Sequence, residues 1–71
     1  MTIEAIEFDN ASEAVQYADA GGRHAILLDG RHFVVTRREA DRLAEAGIEF
    51  AYLCDHEMPD GSFRIMTVPV N

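Results

Sequence analysis

The stretch His24-Ala25-Ile26-Leu27-Leu28-Asp29-Gly30-Arg31-His32-Phe33-Val34-Val35-Thr36 decides the fold. Two β-prone runs flank Asp29-Gly30, residue types that accept the positive φ of a two-residue turn, so the stretch predicts a tight hairpin. With those two residues in the turn, Leu28 faces Arg31, Leu27 faces His32, Ile26 faces Phe33, Ala25 faces Val34 and His24 faces Val35. One side then carries Ile26, Leu28, Phe33 and Val35. The other carries Leu27 and Val34 beside His32 and Thr36. Such a hairpin needs strand neighbours and cover on at least one side.

Upstream, residues 2–8 read as a strand of imperfect alternation, with Ile3 and Ala5 on one side and Ile6 and Phe8 on the other. Asn10 followed by Glu13 is a helix start of the capping-box kind. Ala11, Ala14, Val15 and Ala18 then recur at helical spacing until Gly21-Gly22, which closes the helix through a left-handed residue. Downstream, Thr36 and Glu39 form a second capping box for a helix over residues 37–46, apolar along Ala40, Leu43 and Ala44 and stopped by Gly47. Residues 48–53 alternate as a strand, residues 54–61 read as a loop around Pro59-Asp60-Gly61, and residues 62–70 are the last strand. Pro69, which cannot donate to a ladder, suits a sheet edge or a strand end.

The order is therefore β-α-β-β-α-β-β over one domain, residues 1–71, in the α+β class: a small single-layer sheet with two short helices. The first six elements share the order of a ferredoxin-like βαββαβ unit, with a C-terminal strand added as a hairpin partner of the fourth. This is an analogy of topology. Alanine-rich helix faces predict both helices packed on one side of the sheet. Leu27, Val34, Leu53, Met66 and Val68 would then form an uncovered apolar surface suited to a partner.

Composition narrows the function classes. The 71 residues are 48% apolar, too rich and too regularly spaced for a disordered acidic tail, although 13 acidic residues against 6 arginines give a net charge of -7. That balance disfavours direct binding to nucleic acid or to an anionic membrane. The lone Cys54 excludes an internal disulfide, and no zinc-finger spacing replaces one. A domain of this size buries only roughly 60% of its unfolded surface, which favours stabilisation by association. The acidic start, with Glu4, Glu7 and Asp9, does not resemble a secretion signal, and no run is long enough to span a bilayer as a helix. The expectation is a cytoplasmic protein of bacterial type.

Reactive side chains concentrate in Cys54-Asp55-His56-Glu57. In an extended chain Cys54 and His56 point the same way, and with His24 or His32 they would offer thiolate and imidazole ligands to zinc, which needs three or four. A Cys-His nucleophile would need the imidazole within hydrogen-bond reach of the thiol, which residues two apart rarely achieve. Gly21-Gly22-Arg23-His24 precedes a strand instead of opening a helix and lacks the ending of a phosphate loop. Ser12 and Ser62 lack the flanking turn of a nucleophile elbow.

Arg37, Arg38 and Arg42, joined by Arg31, form the notable basic group. Two arginines in the first turn of a helix oppose its dipole, an unfavourable local choice that suits contact with a carboxylate, a phosphate or an acidic partner. Conversely, Glu4, Glu7, Asp9, Glu13 and Asp19, with Asp55, Glu57 and Asp60, have the charge to imitate phosphates. The sequence reading is a non-enzymatic protein-binding, regulatory or accessory domain without cofactor. It would act as an oligomer, foremost a homodimer, or with another protein, through Arg37, Arg38, Arg42, Leu27, Val34 and Met66. Its alternatives are an acidic nucleic-acid mimic that inhibits a DNA- or RNA-binding protein, and a small metal-binding protein using Cys54 and His56.

Overall fold

A computed structural model describes residues 3–70. Its elements are β1 (Ile6–Phe8), α1 (Ala11–Gly21), β2 (His24–Leu28), β3 (Arg31–Val35), α2 (Arg37–Glu45), β4 (Phe50–Glu57) and β5 (Phe63–Val70), the α+β order read from the sequence. The five strands form one antiparallel sheet in the order β1-β3-β2-β4-β5. The β2–β3 hairpin has the expected register, from Leu28 opposite Arg31 to His24 opposite Val35. Its turn places Asp29 at φ 54° and Gly30 at φ 77°, the two left-handed residues that match the twist of the flanking strands.

Two split β-α-β units interleave in this sheet. Strand β3 lies between the parallel pair β1 and β2, and β2 lies between the parallel pair β3 and β4. A ferredoxin-like sheet would seat the fourth strand outside the first; here it pairs with β2. That displacement moves a helix. Crossovers between parallel strands are almost always right-handed. Both crossovers here step the same way across the sheet, but the second begins on a strand of opposite direction, so the same hand carries its helix to the other side.

The packing agrees. Helix α1 sets Ala14, Val15 and Ala18 against Ala25, Val34 and Leu53 on one face, while α2 sets Ala40 and Leu43 against Ile26, Val35 and Phe50 on the other. The expectation of two helices sharing one face is thus corrected. The uncovered apolar surface is corrected with it: Val34 and Leu53 are buried beneath α1, and Leu27 packs at that cluster's margin. Met66 and Val68 pair with Cys54 and Tyr52, so they lie on the opposite face from Leu53.

The caps form as the sequence implies, with one difference. Asn10 accepts the Glu13 N–H at 2.8 Å, and Thr36 Oγ1 accepts the Glu39 N–H at 3.3 Å. The Glu39 carboxylate turns away from the reciprocal capping bond, accepting the Glu4 N–H at 3.3 Å and lying 3.6 Å from Arg42. In the first segment, the expected strand shortens to Ile6–Phe8, and Thr2 lies outside the described residues.

A larger difference concerns Cys54, Asp55, His56 and Glu57, expected in a loop. They continue β4 and pair with Met66, Ile65, Arg64 and Phe63 of β5. Ladder bonds and exposed flanks make this polar run a strand without any burial to signal it. The connection contracts to Met58–Ser62, closed by Met58 N–H to the Ser62 carbonyl at 2.7 Å and Gly61 N–H to the Met58 carbonyl at 2.9 Å. Because β2 begins at His24, the outer parts of β4 and β5 run past the sheet body as a two-stranded arm. The molecule measures 42 × 22 × 20 Å.

Candidate functional site

The arm and the cleft at its base are the candidate site. Antiparallel pairing fixes the two faces of the arm. Tyr52, Cys54 and His56 of β4 share a face with Val68, Met66 and Arg64 of β5; Leu53, Asp55 and Glu57 share the other with Thr67, Ile65 and Phe63. Cys54, Asp55, His56 and Glu57 are all exposed. So are Phe63 at 67%, Met66 at 47% and Val68 at 49%, three of the five large apolar side chains exposed among the described residues.

At the base of the arm, a cleft of about 660 Å³ is lined by Arg23, His24, Arg37, Tyr52, Cys54 and Val68 among others. The sequence produces it in three steps. Gly22, at φ 65°, ends α1 and turns the chain into β2, delivering Arg23 and His24 to the rim. Thr36 starts α2 directly after β3, bringing Arg37 to the same end of the sheet. Continuation of β4 beyond Leu53 supplies the wall. His24 meets Tyr52 edge-on at 5.6 Å between ring centroids, and Tyr52 meets Phe50 at 5.5 Å. Asp19, Asp41 and Asp55 line the cleft together with Arg23 and Arg37, so its lining carries both signs.

The basic group divides. Arg37 reaches the cleft, Arg42 pairs with Glu39, and Arg38 is exposed. Arg31 stands at the far end of β3, where it lies 3.7 Å from Glu7 on the neighbouring strand. It does not join the others. The acidic residues divide similarly: Asp9 and Glu13 flank the start of α1, whereas Asp19 and Asp55 lie at the cleft and Asp60 in the arm's turn.

Cys54 and His56 do share a face, and the β2–β4 register brings His24 level with Cys54 on it. His32 sits on the other face of the hairpin, near its turn. Among the described residues no three His, Cys, Asp or Glu side chains converge as a metal-binding group. The described residues also contain no buried polar or charged side chain, so any chemistry at the arm would take place in contact with water.

Sequence reasoning missed Phe63 as a contact candidate while placing Met66 and Val68 on a partner surface. Pro69 carried the available signal. A proline compatible with a strand only at its edge marks the whole of β5 as an edge, and the apolar residues along it as unpartnered. No protein-family model, curated protein or solved structure matched the chain. Among the described residues, no helix is long and apolar enough to cross a membrane.

Proposed function

We propose that this chain is a non-enzymatic protein-binding domain of regulatory or accessory type, acting as an oligomer or in complex with a protein partner, with the β4–β5 arm as its contact surface. One observation carries the reading: Phe63, Met66 and Val68 stand exposed on a full-length edge strand. Natural edge strands are usually short, charged, twisted away or covered, because unpaired N–H and C=O groups recruit other chains. Strand β5 carries a single charged residue, Arg64.

Protein surfaces of this kind gain affinity by removing apolar side chains from water around a few anchors. Met66 and Val68 are the anchors on one face of the edge strand, and Phe63 is the anchor on the other. Arg37 and Arg38 form a second, polar contact region for an acidic partner, since neither has an ion-pair partner among the described residues.

The test is native mass spectrometry of the untagged protein across a concentration series, repeated on a Met66→Asp, Val68→Asp double variant. Association by the wild type that disappears in a folded double variant supports the arm. Association that survives both substitutions places the contact elsewhere. A stoichiometric metal in the wild-type spectrum would overturn the reading in favour of the Cys54 and His56 site.

A further inference from the structure

We infer that the arm binds a second copy of this chain edge to edge, β5 against β5, antiparallel about a two-fold axis through Met66. The inference rests on the arm being the contact surface and adds the occupant and the register.

The parity of β5 follows from its own hairpin. Met58 donates to the Ser62 carbonyl, so positions 58 and 62 form a hydrogen-bonded pair, and the pairs alternate from there. Arg64, Met66, Val68 and Val70 direct their backbone groups inward to β4. Phe63, Ile65, Thr67 and Pro69 direct theirs outward. Pro69 therefore lacks an N–H where its own sheet does not need one.

Two copies can join only by pairing outward positions with outward positions. An axis at Arg64 would set two guanidinium groups against each other. An axis at Ile65 leaves Val70 facing the partner's turn, and one at Thr67 sets Pro69, which has no N–H to give, against Ile65 beside the axis. An axis at Met66 pairs every residue from Phe63 to Pro69. Ile65 and Thr67 exchange bonds with their counterparts, Phe63 donates to the Pro69 carbonyl of the second copy, Arg64 faces Val68, and Met66 faces Met66.

Charge and strand length favour self-pairing. The chain carries 13 acidic residues, yet β5 has none, so this edge lets two copies of an acidic protein approach without opposed carboxylates. The other edge, β1, is three residues long and contains Glu7. Eight residues give an edge about 27 Å long. A single edge-to-edge ladder of this length predicts a weak, concentration-dependent dimer.

Disulfide trapping tests the register. In a Cys54→Ser background, Met66→Cys places two thiols at a pair without ladder bonds, about 4.5 Å apart at Cα and within disulfide reach. Mild oxidation should link Met66→Cys to itself and link Arg64→Cys to Val68→Cys in a mixture, but should not link Val68→Cys alone. Thr67→Pro, at the same outward parity as Pro69, should keep the circular dichroism spectrum and weaken dimerisation at least tenfold. A dimer that the Met66→Asp, Val68→Asp variant abolishes but that shows no Met66 cross-link would overturn edge pairing while leaving the arm as the contact surface. A wild type monomeric at millimolar concentration would overturn the second copy as occupant and leave a different protein as the arm's partner.

Discussion

The Glu39 carboxylate accepts the backbone N–H of Glu4 at 3.3 Å, tying the segment before β1 to the first turn of α2 across 35 residues of sequence. The same side chain lies 3.6 Å from Arg42. Replacing it leaves that N–H to water and removes an acidic group from the positive end of the helix dipole. Glu39→Ala should cost about 1 kcal/mol in chemical denaturation and speed hydrogen exchange at the Glu4 amide. Glu39→Gln, which keeps an acceptor, should restore most of the amide protection; equal exchange in both variants would remove Glu39 as the tie.

The two helix caps should behave as independent units. Asn10 and Thr36 serve helices on opposite faces of the sheet and share no hydrogen-bond partner. Asn10→Ala and Thr36→Ala should each cost about 1 kcal/mol, and the double variant should lose the sum within about 0.5 kcal/mol. Urea titrations of the three variants check this. A clear excess in the double variant would mean that the faces communicate more strongly than their separate packing implies.

Ile26 has no exposed surface and packs among Val35, Ala40, Leu43 and Phe50 beneath α2. Ile26→Val should cost about 1 kcal/mol, and Ile26→Ala about 2–5 kcal/mol through lost burial and the cavity left behind. In so small a domain the larger loss approaches the total stability, so Ile26→Ala should be largely unfolded at 37 °C by circular dichroism. A cooperative Ile26→Ala transition close to that of the wild type would show that α2 closes the space.

Acid should act on the arm's turn through Asp60. Its carboxylate accepts the Ser62 hydroxyl at 2.6 Å and the Ser62 N–H at 2.9 Å. These bonds, the hydroxyl's first, hold its pKa below the ordinary value of 3.8. A lowered folded-state pKa means that the contribution to stability is present above the unfolded value and fades as pH falls through the folded one. Side-chain NMR titration should place the Asp60 midpoint below 3.8, and Ser62→Ala should move it upward. An unmoved midpoint would show that the hydroxyl does not set it.

The hairpin from His24 to Val35 was legible because Asp29-Gly30 permits one tight turn, and a tight turn dictates every pair that follows. Helix starts were legible in Asn10 and Thr36 for a similar reason: a short polar side chain has a specific orphan donor to satisfy. Which face each helix covers was not. Leu27 and Val34 on one side of the hairpin and Ile26 and Val35 on the other give both faces apolar character, so alternation could not assign the helices, and the answer lies in where β4 pairs. The arm was hidden because Cys54, Asp55, His56 and Glu57 form a strand through ladder bonds alone. Of the candidate site, Met66, Val68 and Arg37 were named from sequence and lie at the arm and cleft, whereas Val34 went under α1 and Arg31 to the far end of β3.

Interleaved crossovers also govern how such a chain can be taken apart. Since β3 sits inside the first β-α-β unit and β2 inside the second, neither half contains a complete set of neighbouring strands. Cutting the chain at the Asp29-Gly30 turn would give two fragments, each missing a central strand that only the other supplies. Each should be unstructured alone, and their mixture should regain the fold as a complementing pair. If the fragments behave so, autonomy resides in the whole sheet, and unfolding should be a single cooperative transition.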